Sequence, residues 1–127
     1  NMQMASAADR ECSQWVKQDS AQYAMDELGF WYTKTKKQYN NTLKDGDKVL
    51  IHIKMNELNG DLLADIEEYL TIGSGDWPLV INRSLKQMSR GEEMRIVAPW
   101  YTAYGAEGTT LIKPYSNIII TLTTIEE

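Results

Sequence analysis

The strongest constraint on the fold is a run of alternating apolar residues between Lys48 and Glu57. Apolar side chains at every second position are typical of a β-strand that buries one face. In this run they are Val49, Ile51, Ile53 and Met55. The pair Asn59-Gly60 follows, and it tolerates the positive φ angles that a tight hairpin turn requires. The sequence therefore predicts a β-hairpin in which Leu62 to Ala64 forms the returning strand.

Further strands are predicted where short apolar or β-branched runs lie between turn residues, at Phe30–Thr35, Tyr69–Ile72, Glu93–Ala98 and Ile118–Ile125. A short helix is predicted with Asp76 as its N-cap, Trp77 and Pro78 in its first turn, and Ser89-Arg90-Gly91 at its end. Residues 99–114 are predicted to form a long loop. Most connections are too short for crossovers between parallel strands. We therefore expect an α+β fold in which a bent antiparallel sheet wraps around one short helix.

The first 29 residues are predicted to form a helical extension ahead of the sheet. We expect residues 1–8 to be a frayed end and residues 9–28 to be a helix that Gly29 terminates. Apolar residues recur on one side of this helix at spacings of four, seven and five, at Cys12, Val16, Tyr23 and Leu28. We therefore divide the chain into an extension, residues 1–29, and a domain, residues 30–127.

Charge and residue usage exclude several classes of function. The formal net charge of −5 repels phosphate backbones, so we expect no nucleic-acid partner. Cys12 and His52 are the only cysteine and histidine, whereas a zinc site needs several such ligands, so we expect no metal and no cofactor. We interpret Cys12 as a packing residue and His52 as a strand histidine. No apolar run reaches the roughly 18 residues that cross a bilayer.

Four segments between residues 45 and 126 carry motifs in a definite order. They are Gly46–His52 with Asn59-Gly60, Leu85–Glu92 with its M-x-x-G-E pattern, Pro99–Ala106 with its A-Y-G triplet, and Leu111–Ile120. In sequence and order these segments resemble the motifs of the FKBP-type peptidyl-prolyl cis-trans isomerases. Each is unspecific alone, but four in the right order are specific. The resemblance implies an FKBP-like fold for residues 30–127, with the N-terminal helix as an addition.

The resemblance also implies an activity that needs no acid, base or nucleophile. Amide resonance gives the X–Pro bond a rotation barrier of about 20 kcal/mol. An apolar bowl weakens that resonance by desolvating the carbonyl, and hydrogen bonds hold the flanking backbone so that the twisted amide is bound preferentially. A chain with one histidine, one cysteine and no paired catalytic carboxylates is compatible with such chemistry.

Carried over residue by residue, the resemblance implies that the Tyr104 hydroxyl reaches the substrate carbonyl and that Ile112 lines the pocket. The alternative is that Tyr104 only braces its loop. Four pocket positions hold aliphatic residues where the family has aromatic ones, namely Ile53, Leu63, Ile81 and Ile120. Ala64 replaces an Asp of the family, and Asp65 could substitute for it after a one-residue shift. Replacing aromatic with aliphatic side chains keeps the pocket apolar but reshapes it.

Two further departures lie just before the short helix. Trp77 replaces a small aliphatic residue, and we consider that its indole could fill the floor of the pocket; the alternative is that core side chains fill it. Pro78 replaces a residue whose backbone N–H binds a substrate carbonyl, and proline has no N–H. The loss costs on the order of 1–3 kcal/mol unless Trp77 or Leu79 supplies a donor.

The resemblance thus favours an isomerase of X–Pro bonds in protein folding, with weak activity and weak or no macrolide binding. The first alternative is a non-catalytic, chaperone-like module that holds unfolded or proline-containing segments in the same pocket. The second is a structural domain of the bacterial envelope that docks through its helix. A helix ahead of such a domain and a first residue other than Met resemble the mature part of a secreted or lipid-anchored bacterial protein. We therefore expect an extracytoplasmic location.

Overall fold

The computed structural model describes residues 2–38 and 41–127. Its helices are α1 (Met2–Gln18) and α2 (Leu79–Leu85), with one 3-10 turn at Trp100–Thr102. Its strands are β1 (Ala24–Met25), β2 (Trp31–Lys36), β3 (Lys48–Glu57), β4 (Leu62–Thr71), β5 (Glu93–Ala98) and β6 (Ile118–Ile125). All six strands pair antiparallel in one sheet, in the order β1-β2-β5-β6-β3-β4. The expected α+β fold with an N-terminal helix is confirmed.

The β3–β4 hairpin forms because every second residue of β3 is buried, as its alternating pattern predicts. Gly60 takes the positive φ of 99° in the turn that joins the strands. The strand β4 then runs unbroken from Leu62 to Thr71, so the prediction of two separate short strands is wrong. The acidic residues Asp65, Glu67 and Glu68 have low strand propensity. These residues nevertheless continue the strand, because each pairs with a residue of β3.

The hydrophobic core lies between the concave face of the sheet and α2. Val80, Ile81 and Leu85 of α2 are fully buried, and Met88 beyond the helix end is buried with them. The helix is shorter than predicted: it ends at Leu85 and not at the Ser89-Arg90-Gly91 segment. These apolar side chains pack against the inward-facing residues of β3, β5 and β6.

The start of α2 also differs from the prediction. Pro78, and not Asp76, is the N-cap residue, and Trp77 precedes the helix. Extended backbone at Pro78, with φ −54° and ψ 153°, suits proline, because its ring fixes φ near −65°. The Pro78 carbonyl accepts the N–H of Ile81 at 3.0 Å, which closes the first turn.

Helix α1 spans Met2–Gln18. The predictions of a frayed end at residues 1–8 and of a helix at residues 9–28 are therefore wrong. After the helix, the Asp19 carboxylate binds Arg95 of β5 at 2.8 Å and the Tyr23 hydroxyl at 2.8 Å. These bonds turn the chain toward β1, which pairs with β2. The apolar spacing predicted too long a helix, because Tyr23 and Leu28 lie in the irregular segment after α1 and not on the helix.

Helix α1 covers the outer face of the sheet. Val97 and Ile119 pair directly across β5 and β6 and are buried, yet they point away from the core that surrounds α2. Ala8 and Cys12 are the buried residues of α1, one helical turn apart, and α1 contacts β5. Within the described residues no helix is long and apolar enough to cross a membrane.

The Cys12 thiol should be unreactive in the folded protein. Burial raises its pKa from 9.0 to about 12, with smaller effects from Asp9 and Glu11, so the thiolate fraction at neutral pH falls about a thousandfold. We predict that a disulfide reagent labels Cys12 rapidly in urea-unfolded protein and at least about a hundredfold more slowly in native protein. Equal rates would contradict the docking of α1.

Candidate functional site

The candidate site lies at the concave side of the sheet, where α2 approaches the loop between β5 and β6. Ile53, Ile81 and Ile120 are fully buried there and belong to the hydrophobic core, and Ile112 is nearly so. Of the predicted site residues, Leu63, Trp77 and Tyr104 are half-buried and pack against this core. The residues expected to form the floor are therefore core residues, while three side chains with apolar surface form the exposed part.

A β-bulge places Leu63 at the site. Asn56 pairs with Leu62 and Met55 with Ala64, so Leu63 is an extra residue on β4. An extra residue lets two consecutive side chains face the same side of a sheet. Leu63 and Ala64 both pack against the core as a result. The alternation of the sequence alone did not reveal this bulge.

Asp65 does not replace the carboxylate that is missing at Ala64. Asp65 is one residue beyond the inward-facing Ala64, so it lies on the outer face, where its carboxylate binds His52 Nε2. The suggested one-residue shift is therefore wrong. The same contact places His52 on the outer face of β3, as expected for a strand histidine.

Hydrogen bonds within its own backbone close the loop that carries Tyr104. The Tyr104 carbonyl accepts the N–H of Gly108 at 3.1 Å, and the Gly105 carbonyl accepts the N–H of Tyr115 at 3.0 Å. Gly108 has a φ of 65°, and a Cβ there would lie only 2.3 Å from the Ile112 carbonyl oxygen. The two arms of the loop can meet at this point only because residue 108 is glycine.

No described residue forms a hydrogen bond with the Tyr104 hydroxyl, although the Tyr104 ring packs against the hydrophobic core. Burial raises the pKa of Tyr104 to about 12, so the hydroxyl is protonated at neutral pH. A protonated phenol in apolar surroundings is a hydrogen-bond donor whose binding capacity is unused. The backbone of Tyr104 takes part in closing the loop, whereas its hydroxyl makes no hydrogen bond to a described residue.

The backbone beside Pro78 is fixed by Asn82. The Asn82 amide donates to the Trp77 carbonyl at 3.3 Å and its oxygen accepts the N–H of Gly73 at 3.1 Å. Leu79 offers the first N–H of α2 after Pro78, and its side chain is 61% exposed. The two candidate donors, Trp77 and Leu79, therefore lie on either side of Pro78 at the start of the helix.

Sequence reasoning missed two residues of β4 that face the concave side. Ile66 pairs with Ile53 and Glu68 pairs with Ile51, so both project toward the side on which α2 lies. Ile66 is 38% exposed and adds apolar surface at the edge of the site. The signal was present in the hairpin register, which continues the inward alternation of Ala64 through positions 66, 68 and 70.

A separate groove of about 550 Å³ lies on the opposite side of α2, between this helix and the segment around β1. It is lined by Met25, Tyr32 and Leu79 together with charged residues. The buried Asp26 carboxylate accepts hydrogen bonds there from Arg83 at 3.1 Å and Gln87 at 3.2 Å. These bonds tie the β1–β2 segment to the helix side of the groove.

The sequence profile of the family described as FKBP-type peptidyl-prolyl cis-trans isomerase matches residues 39–124, more than half of the chain. Comparison with curated proteins gives no match.

Three solved structures are similar in fold. A peptidyl-prolyl cis-trans isomerase from Pseudomonas syringae pv. tomato has a TM-score of 0.81 at 18% identity, over 98% of this chain and 93% of that one. FkpA from Escherichia coli has a TM-score of 0.80 at 16% identity, over 98% of this chain but only 62% of its own. AtFKBP13 has a TM-score of 0.76 at 18% identity, over 84% of this chain and 99% of its own. At such identities the likeness shows the fold.

The close approach at Gly108 generates a prediction about the loop. Gly108→Ala should lower the free energy of unfolding by about 2–5 kcal/mol, because it adds a backbone clash to the strain of a positive φ. Gly105→Ala is the matched control, since its φ is 71° but no atom lies within 4 Å of the added Cβ. We expect it to cost only about 1–2 kcal/mol. Urea unfolding followed by circular dichroism measures the free energy of unfolding of both variants. Equal losses would contradict the inferred close contact between Gly108 and the Ile112 carbonyl.

Proposed function

The chain belongs to the FKBP-type peptidyl-prolyl cis-trans isomerase family, and we propose that it isomerises X–Pro bonds at the concave site around Tyr104. The observation that carries this proposal is Tyr104, whose ring packs against the hydrophobic core and whose protonated hydroxyl has no partner among the described residues. Such a donor suits a peptide carbonyl. The proposed ligands are proline-containing peptides and unfolded protein segments.

The proposed mechanism is selective binding of the twisted amide. The proline ring packs on Leu63, Trp77 and the side chains beneath them, which removes water from the X–Pro carbonyl and weakens the amide resonance. The Tyr104 hydroxyl donates to a carbonyl oxygen of the bound segment and holds it while the bond rotates. No proton is transferred and no covalent bond is broken.

We propose that catalysis is weak because the site lacks one donor and much of its depth. Pro78 cannot donate a backbone hydrogen bond, a loss of about 1–3 kcal/mol, or roughly ten- to hundredfold in rate. Ile53, Ile81 and Ile120 are fully buried in the core, so the exposed part of the site is shallow. The same shallowness argues for weak or no macrolide binding.

The second candidate function is peptide binding without appreciable catalysis, as in a chaperone-like module. The observation that favours it is again the burial of the three isoleucines, because a shallow apolar rim can hold a segment without enclosing its prolyl bond. The two functions differ in what they require of Tyr104. Catalysis depends on its hydroxyl, whereas loose apolar binding depends mainly on its ring.

The domain boundary and the cellular location are also part of the proposal. We assign residues 1–29 to an extension and residues 30–127 to the FKBP-like domain, which is supported by a core that begins at Phe30. An extracytoplasmic, envelope-bound location is proposed from the helical extension. Fractionation of cells that produce the full-length protein tests it, and recovery of the protein in the cytoplasm would overturn it.

The central experiment is an isomerisation assay on a panel of X–Pro peptides. We expect measurable activity in the wild type and a loss of about tenfold in kcat/KM in Tyr104→Phe, the effect of one hydrogen bond. Tyr115→Phe is the matched control on the same loop, because its ring is exposed, and it should retain the activity. Pro78→Ile should raise the activity, since it restores a backbone N–H.

The outcomes separate the candidates. Wild-type activity that Tyr104→Phe leaves unchanged would place catalysis outside this site. An inactive wild type that binds the peptides would favour the non-catalytic module, and restoration of activity by Pro78→Ile would then identify the missing N–H as the cause. An inactive wild type that binds no peptide would overturn both candidates.

A further inference from the structure

We propose that helix α1 is a positioning element of the site, because its carboxylates Asp9 and Glu11 hold the loop that carries Tyr104. The inference rests on the proposed function for its catalytic consequence. Its structural part, that α1 fixes the geometry of the loop, stands independently. The acting residue is Tyr101, a positioning residue three positions before Tyr104.

The hydrogen bonds from α1 reach both ends of the loop. The Tyr101 hydroxyl, near the start of the loop, donates to the Asp9 carboxylate. The Asn117 amide, at the end of the loop, donates to Glu11 at 2.8 Å. The Trp100 indole N–H points at the Met4 carbonyl at 3.5 Å. Asp9 and Glu11 belong to the same helix. Both ends of the loop are therefore bonded to one rigid element.

Hydrogen bonds within the loop connect these anchors to Tyr104. The Asn117 side-chain oxygen accepts the N–H of Trp100 at 2.9 Å, which ties the two ends together. The N–H of Gly105 donates to the Trp100 carbonyl at 2.9 Å and spans Tyr104. A tilt of the 3-10 turn at Trp100–Thr102 would therefore shift the backbone of Tyr104 and the direction of its hydroxyl.

The Tyr101 hydroxyl occupies a space that the N-terminal segment leaves open for it. A Cβ at Gly29 would lie 2.6 Å from the Tyr101 hydroxyl oxygen, so only glycine admits the hydroxyl at this distance. Burial and the bond to Asp9 raise the pKa of Tyr101, so the hydroxyl remains a donor throughout the neutral range. Tyr101 is 40% exposed and its ring packs edge-on against Trp100 with the ring centroids 5.7 Å apart, so the hydrogen bond and this contact together set its position.

Helix α1 is held against the sheet by contacts that do not involve the loop. Arg95 of β5 binds Asp19 at 2.8 Å and the Tyr23 hydroxyl at 2.6 Å, just beyond the end of the helix. Ala8 and Cys12 of the helix are buried, and the helix contacts β5 as well as the 3-10 turn of the loop. The loop is therefore braced against an element whose position is set elsewhere, as positioning requires.

The test uses the full chain and the substitution Tyr101→Phe, which removes the hydroxyl and keeps the exposed ring. We expect hydrogen exchange at the amides of Gly105, Gly108 and Tyr115 to accelerate about five- to tenfold, while exchange within β3 stays unchanged. In the isomerisation assay kcat should fall about fivefold with little change in KM, because the substrate still meets the same apolar surface.

Two matched variants separate positioning from general destabilisation. Asp9→Asn retains a side-chain oxygen that accepts the Tyr101 hydroxyl, so it should preserve the loop exchange and kcat, whereas Asp9→Leu should reproduce Tyr101→Phe. Tyr69→Phe deletes the same kind of tyrosine–carboxylate bond, to Glu127, on the outer face of β4. It should leave both readouts at the wild-type level.

Unchanged exchange in the loop of Tyr101→Phe would overturn the proposal, as would faster exchange with an unchanged kcat. Acceleration throughout β3 as well would mean that Tyr101 only stabilises the fold, which also overturns it. If the wild type itself has no isomerase activity, the proposed function fails and the exchange data alone decide whether α1 fixes the loop.

Discussion

The structure depends on the burial of one short helix against the concave face of the sheet. Seven residues are too few for a helix that is stable alone, so α2 exists because Val80, Ile81 and Leu85 lose their contact with water there. Ile81, which the family resemblance assigns to the floor of the proposed site, is one of these buried residues. The core and the proposed site would thus share side chains, and greater depth at that site would require a looser core.

Much of the fold was accessible from the sequence, because burial on one face leaves a local pattern. The strands β3, β5 and β6 have the predicted bounds, since their apolar residues are set by their own alternation or density. The middle of β4 and the end of α1 were not predictable in this way. Acidic residues continue β4 through pairing with β3, and Asp19 turns the chain after α1 by binding Arg95, a residue far along the sequence.

The same distinction holds for the candidate site. Tyr104 and its loop could be located from the A-Y-G triplet and the surrounding glycines, whose conformations are local. The bulge at Leu63, the inward direction of Ile66 and the outward direction of Asp65 depend on the register between two strands, which no single segment encodes. The dependence of the loop on α1 likewise arises from side-chain contacts between distant segments, such as Tyr101 with Asp9.

The most direct test of the central claim is a nuclear magnetic resonance titration of the labelled full chain with a short peptide that contains one X–Pro bond. If the site binds prolyl segments, the resonances of Leu63, Trp77 and Tyr104 should shift together and saturate with one dissociation constant. Exchange between the cis and trans peptide signals should also accelerate. Shifts confined to the groove around Met25 and Leu79, or no shifts at all, would contradict the account.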